Sequence, residues 1–75
     1  MPSLMTPADL RALGDALYGS RWKSELARAL GIHLSTLRDW TSGYQRIPAA
    51  RVREIRALAE RRVAAAIAAI GEPDS

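Results

Sequence analysis

The 75-residue chain contains no cysteine and no phenylalanine, and only one histidine, His33. Without thiols there is no disulfide, no thiolate metal site and no cysteine nucleophile, and a lone histidine cannot build a multi-histidine metal site within one chain. No apolar run approaches the roughly 20 residues needed to span a bilayer. The longest alanine- and isoleucine-rich stretch is Val63–Ile70, and the opening Met1-Pro2-Ser3-Leu4-Met5 lacks the basic and long apolar segments of a secretory leader. A soluble, cytoplasmic protein is expected, with no membrane role, no cofactor and no small-molecule ligand. No stretch alternates apolar and polar residues over a strand length, and there is no internal repeat or low-complexity linker, so the expected fold class is all-α. No paired carboxylates, metal ligands or activated nucleophile converge, which argues against an enzyme.

What is present is an uneven charge distribution. The net charge is only +3, yet ten of the eleven basic residues fall between positions 21 and 62: Arg21, Lys23, Arg28, Arg38, Arg46, Arg51, Arg53, Arg56, Arg61 and Arg62. Against them stand Glu25, Asp39, Glu54 and Glu60, while the two ends are net negative, with Asp9 and Asp15 opposing Arg11 and with Glu72 and Asp74 alone. A phosphate backbone attracts a central block of that sign. Arginine-rich helical surfaces are also common solvated faces, so charge alone favours nucleic acid modestly.

The length suits a single domain, 1–75, with a modest core. Thr6-Pro7-Ala8-Asp9 reads as a helix start, with a capping threonine, proline at the first helical position and an acidic first turn. Leu10, Leu13 and Leu17 then recur at helical spacing until Gly19, giving a first helix over about 7–18. A second helix is expected over about 21–30, buried through Leu26, Ala27 and Leu30 and stopped at Gly31. A third is expected over about 33–42, with Leu37 and Trp40 inward. After the connection Tyr44–Ile47, Pro48 opens a last helix over about 48–70, free of glycine and proline from Ala49 to Ile70. Val52, Ile55 and Leu58 or Ala59 are expected to pack on the body, and Glu72–Ser75 is expected to fray.

The informative segment is Lys23–Trp40. Ala27 is small enough for close helix approach, Gly31 supplies backbone freedom for a sharp turn, and Ile32, Leu37 and Trp40 pin the following helix. The residues left outward are His33, Leu34, Ser35, Arg38 and Asp39, a mixed set of donors, acceptors and a methyl-bearing side chain. Such a set suits the donor and acceptor code of the DNA major groove.

Leu26-Ala27-x-x-Leu30-Gly31-Ile32, then Ser35-Thr36-Leu37-x-x-Trp40-x-x-Gly43, then Ile47-Pro48 resembles the lambda-repressor/Cro-like (XRE-type) helix-turn-helix family, over about Leu10 to Leu58. The resemblance implies a compact helix-turn-helix domain of four or five helices, the third being the recognition helix, in a small bacterial or phage-encoded regulator. Two features depart from the family pattern: Leu34 stands where glutamine or serine is usual, and one long helical segment replaces several short terminal helices. The expected function is sequence-specific binding of double-stranded DNA at a palindromic operator, with autorepression by promoter occlusion.

Arg38 is the best candidate for a bidentate guanine contact, Asp39 for an acceptor at cytosine, Ser35 for an adaptable contact and Leu34 for a thymine methyl. Arg21, Lys23, Thr36, Ser42, Tyr44, Gln45 and Arg46 are expected at backbone phosphate, which positions without specifying. His33 could contact DNA or simply cap the helix, and Ser35 and Thr36 could likewise be cap residues. Trp22 and Trp40 read as core, and Tyr44 either reaches phosphate or covers the core. Most arginines of the last helix read as solvated surface. Val63, Ala66, Ile67 and Ile70 form a stripe beyond the reach of a three-helix body, and a homodimer through it is favoured over a fold-back by a bend near Glu60–Arg62. The competing reading is an antitoxin-like or adaptor protein-interaction module whose basic surface meets an acidic partner.

Overall fold

Thr6 sets the start of the first helix. Its Oγ1 accepts a hydrogen bond from the Asp9 N–H (3.0 Å), and the Asp9 carboxylate accepts one from the Thr6 N–H (3.1 Å). This reciprocal box satisfies two donors that a helix end otherwise leaves to solvent, and Pro7, lacking an N–H, loses nothing at the next position. The computed structural model describes residues 5–71, so the expectations for the opening residues and for a frayed Glu72–Ser75 lie outside the described residues. Helix α1 spans Pro7–Tyr18, a single 3-10 turn follows at Gly19–Arg21, and then come α2 (Trp22–Leu30), α3 (Leu34–Ser42) and α4 (Ala49–Ile70). There is no strand among the described residues, and the all-α expectation holds.

The helix limits differ from expectation only at their starts. Arg21 belongs to the 3-10 turn, His33 caps α3 from outside, and Pro48 precedes α4 as its cap. The proline is extended (φ −60°, ψ 147°), yet its carbonyl already accepts the Val52 N–H at 3.0 Å, which makes it the half-in residue of that helix.

One core forms where the apolar faces meet. Leu10, Leu26, Leu37 and Ile55 are fully buried, with Trp22, Ala27, Trp40, Ile47 and Val52 around them. Complete burial of each large aliphatic side chain contributes about 1.5–3 kcal/mol. Both tryptophans are core, as their positions on apolar faces predict. Helix α1 packs on α2, α3 and α4, and α2 packs on α3. The α1–α2 approach depends on Gly14. The Trp22 indole lies over its bare backbone, and an added Cβ would sit 2.1 Å from Cε3 of the ring.

Helix α4 is covered by the body only in its first half. Val52 and Ile55 are buried, Ala57, Leu58 and Ala59 are half-buried, and every residue from 60 to 70 is exposed. Arg51 ties its start to α2 by reaching the Leu30 carbonyl (3.5 Å) while pairing with Glu54 (2.7 Å). Arg62 reaches back across the Tyr18 ring, 4.3 Å from its centroid. The helix passes Glu60–Arg62 unbroken, so the fold-back is not adopted. Val63 (53% exposed), Ile67 (54%) and Ile70 (85%) project beyond the core. No helix among the described residues is long and apolar enough to cross a membrane.

Candidate nucleic-acid interface

The turn between α2 and α3 is built on Gly31. It adopts the left-handed conformation (φ 68°, ψ 33°), which costs glycine little and other residues considerably more. That conformation lets the Gly31 N–H donate to the Arg28 carbonyl (3.2 Å) and the Ile32 N–H to the Ala27 carbonyl (3.0 Å), closing the end of α2. The chain then straightens at His33 (φ −73°, ψ 147°), whose carbonyl accepts the N–H groups of Thr36 (3.1 Å) and Leu37 (3.3 Å). The His33 side chain makes no capping hydrogen bond and is exposed. With no acidic residue in its first turn, α3 keeps the positive end of its dipole uncompensated.

Helical spacing separates α3 into two faces. Leu37, Trp40 and Thr41 are buried against the body. Opposite them Ser35, Arg38 and Ser42 are exposed on one face, at separations of three and four residues, with the half-buried Asp39 beside them. Leu34 and Thr36 lie at the margins and are also half-buried. Leu34 differs from its expected outward placement: it packs partly on the core because its position borders the start of α2. A shallow cleft between these elements is lined by Ser20, Arg21, Lys23, Ser24, Leu34 and Arg38.

The end of α3 is wound shut. Thr41 Oγ1 donates to the Arg38 carbonyl (2.9 Å), Ser42 Oγ donates to the Asp39 carbonyl (3.2 Å), and the Gln45 N–H reaches the same carbonyl (3.2 Å). The Tyr44 N–H donates to Ser42 Oγ (3.3 Å). These bonds hold Ser42, Tyr44, Gln45 and Arg46 in an exposed corner directly after α3. Tyr44 is 80% exposed, so it does not cover the core.

Sequence reasoning missed Arg11. Its Nη1 donates to the Thr41 carbonyl at 2.6 Å, placing a positive charge at the negative end of α3 and tying α1 to it. It missed Gly14 and the cleft residues Ser20 and Ser24 as well. A glycine inside an otherwise strong helix was the available signal for Gly14; nothing in the spacing pointed to Arg11.

Arg21, Lys23, Arg38 and Arg46 are all exposed, and none forms an ion pair among the described residues. Lys23 leans towards the Trp22 ring, its Nζ 5.9 Å from the centroid. No group of three or more potential metal ligands occurs among the described residues. Val63, Ala66, Ile67 and Ile70 lie on the projecting half of α4, apart from these groups. No known protein family, curated protein or solved structure matches the chain.

Proposed function

We propose that the protein binds double-stranded DNA in a sequence-specific manner, with α2, the Gly31 turn and α3 acting as a helix-turn-helix and α3 as the recognition helix. The observation that carries the reading is the exposed face of α3. Ser35, Arg38 and Ser42 sit on it together, anchored from behind by Leu37, Trp40 and Thr41, with Arg21 and Lys23 in the adjoining cleft and exposed Arg46 following the helix. The major groove is about 12 Å wide and admits one helix, whose outward side chains then meet base edges.

In this reading Arg38 addresses guanine O6 and N7 with its planar fork, Ser35 adapts to its neighbour, and Asp39 accepts from cytosine N4. Half-buried Leu34 offers only a methyl edge to thymine, and His33 approaches from the turn. Arg21 and Lys23 meet phosphate on one side of the groove, in the cleft that also holds Ser20 and Ser24. Ser42, Tyr44, Gln45 and Arg46 meet it on the other, with Thr36 at the margin. Two copies joined through Val63, Ala66, Ile67 and Ile70 would read a palindrome and repress by occluding a promoter, as the family resemblance implies.

Selection of bound sequences from a random duplex pool tests the reading. A palindromic consensus containing guanine in each half-site is expected. Three cations at phosphate per protomer give a slope of log affinity against log salt of about −2.7 per protomer. Recovery of no consensus, with affinity independent of salt, would overturn it.

A further inference from the structure

The stripe on the projecting half of α4 has an internal symmetry. Val63, Ala66, Ile67 and Ile70 fall within one narrow arc of the helix at about 100° per residue. Reversing the order about the midpoint between Ala66 and Ile67 sets Val63 opposite Ile70 and Ala66 opposite Ile67. Each large side chain then meets a smaller one. Parallel pairing in register would instead oppose Ile67 to Ile67 and leave a gap at Ala66. Charge follows the same pattern: Arg61 and Arg62 precede the stripe, Glu72 and Asp74 follow it, and the last turn of α4 carries no basic residue. An antiparallel pair brings the negative end of each helix towards the basic start of the other stripe.

We infer that the occupant of this face is a second copy of the chain, with the two α4 helices antiparallel and crossing on a two-fold axis between Ala66 and Ile67. This deepens the DNA-binding reading and rests on it only for its biological meaning. The partner helix ends at Val63, one turn from a groove lined by Met5, Asp9, Leu13, Arg56, Ala59 and Glu60, so the paired face runs directly onto the body. A stripe of this length buries less than the roughly 1,200–2,000 Å² of a standard stable interface. The free dimer is therefore weak and is completed on DNA. The register also fixes a separation: the two buried Ile55 residues stand about 35 Å apart along the pair.

The absence of native cysteine makes the test clean. V63C and I70C single variants of the full chain are prepared separately, checked for helical content by circular dichroism, and oxidised without DNA, alone and as an equimolar mixture. The antiparallel register predicts a disulfide-linked pair only in the mixture. Disulfides in either variant alone at the same yield, or none in the mixture, overturn it. Sedimentation of Ile67→Asp provides the second reading: the 8.2-kDa chain is expected to lose its concentration-dependent dimer while keeping its helical content, since Ile67 lies outside the core. An unchanged dimer in that variant also overturns the inference. A chain that cross-links as expected but ignores duplex leaves the pairing intact and sinks the DNA reading; one that binds duplex as a monomer does the reverse.

Discussion

Replacing Gly14 with alanine sets two known effects against each other. In an exposed helix interior the change stabilises by about 1 kcal/mol, because alanine restricts the unfolded chain and favours helix. Here the new Cβ would fall 2.1 Å from Trp22 Cε3 and 2.3 Å from Cδ2, far inside van der Waals contact. The indole is rigid, only 7% exposed, and held at the first turn of α2, so it cannot swing away without pulling α2 from α1. Overpacking of this kind costs about 1–3 kcal/mol, and the contact sits at the severe end of that range. The net loss is therefore about 2 kcal/mol, which in a domain of this size lowers Tm by about 10 °C. Thermal unfolding followed by circular dichroism measures it. A double-mutant cycle with Trp22→Leu then isolates the clash: Gly14→Ala is expected to cost much less in the leucine background. A Tm for Gly14→Ala equal to or above that of the parent would refute the claim that Trp22 needs the bare glycine backbone.

Three further outcomes are expected. Arg38→Ala relaxes preference at one base position, losing about 1–3 kcal/mol of discrimination there, whereas Arg46→Ala weakens all duplexes alike and flattens the salt slope by about one; titration of matched and mismatched duplexes at several salt concentrations distinguishes them, and identical behaviour would remove the division between reading and anchoring. Arg11→Ala, which strips the Thr41 carbonyl of its charged donor, lowers stability by about 1 kcal/mol in urea unfolding, and Arg11→Lys recovers part of it. Gly31→Ala places a side chain at φ 68° in open space, so its cost is backbone strain alone, about 1–2 kcal/mol in the same assay.

The features legible in the sequence were those written in short-range patterns. The Thr6 cap with its acidic first turn, the stop at Gly31 and the spacing of Leu26, Leu37 and Trp40 each act within a turn or two of helix, so element order and most of the core could be read directly. The outward set on α3 was legible for the same reason, since helical periodicity alone separates Ser35 and Arg38 from Leu37 and Trp40. Leu34 escaped because its burial depends on how closely the start of α2 approaches, a property of packing angle rather than of local order. Arg11 and Thr41 are thirty positions apart, and no periodicity links a guanidinium on one helix to a carbonyl on another. Ile47, placed in a connection by its neighbours, is 6% exposed because the loop turns it into the core cluster.

The buried cluster closes between Leu10 and Ile55. Residues 63–71, all exposed, therefore add nothing to the buried core of the globule. Mutations there escape the selection that polices folding, so the sequence of this stretch can drift or be redesigned while the globule stays intact. A different helical segment grafted after Arg62 would leave the packing of the globule as it is, and any association it brought would register as a concentration-dependent rise in the melting temperature.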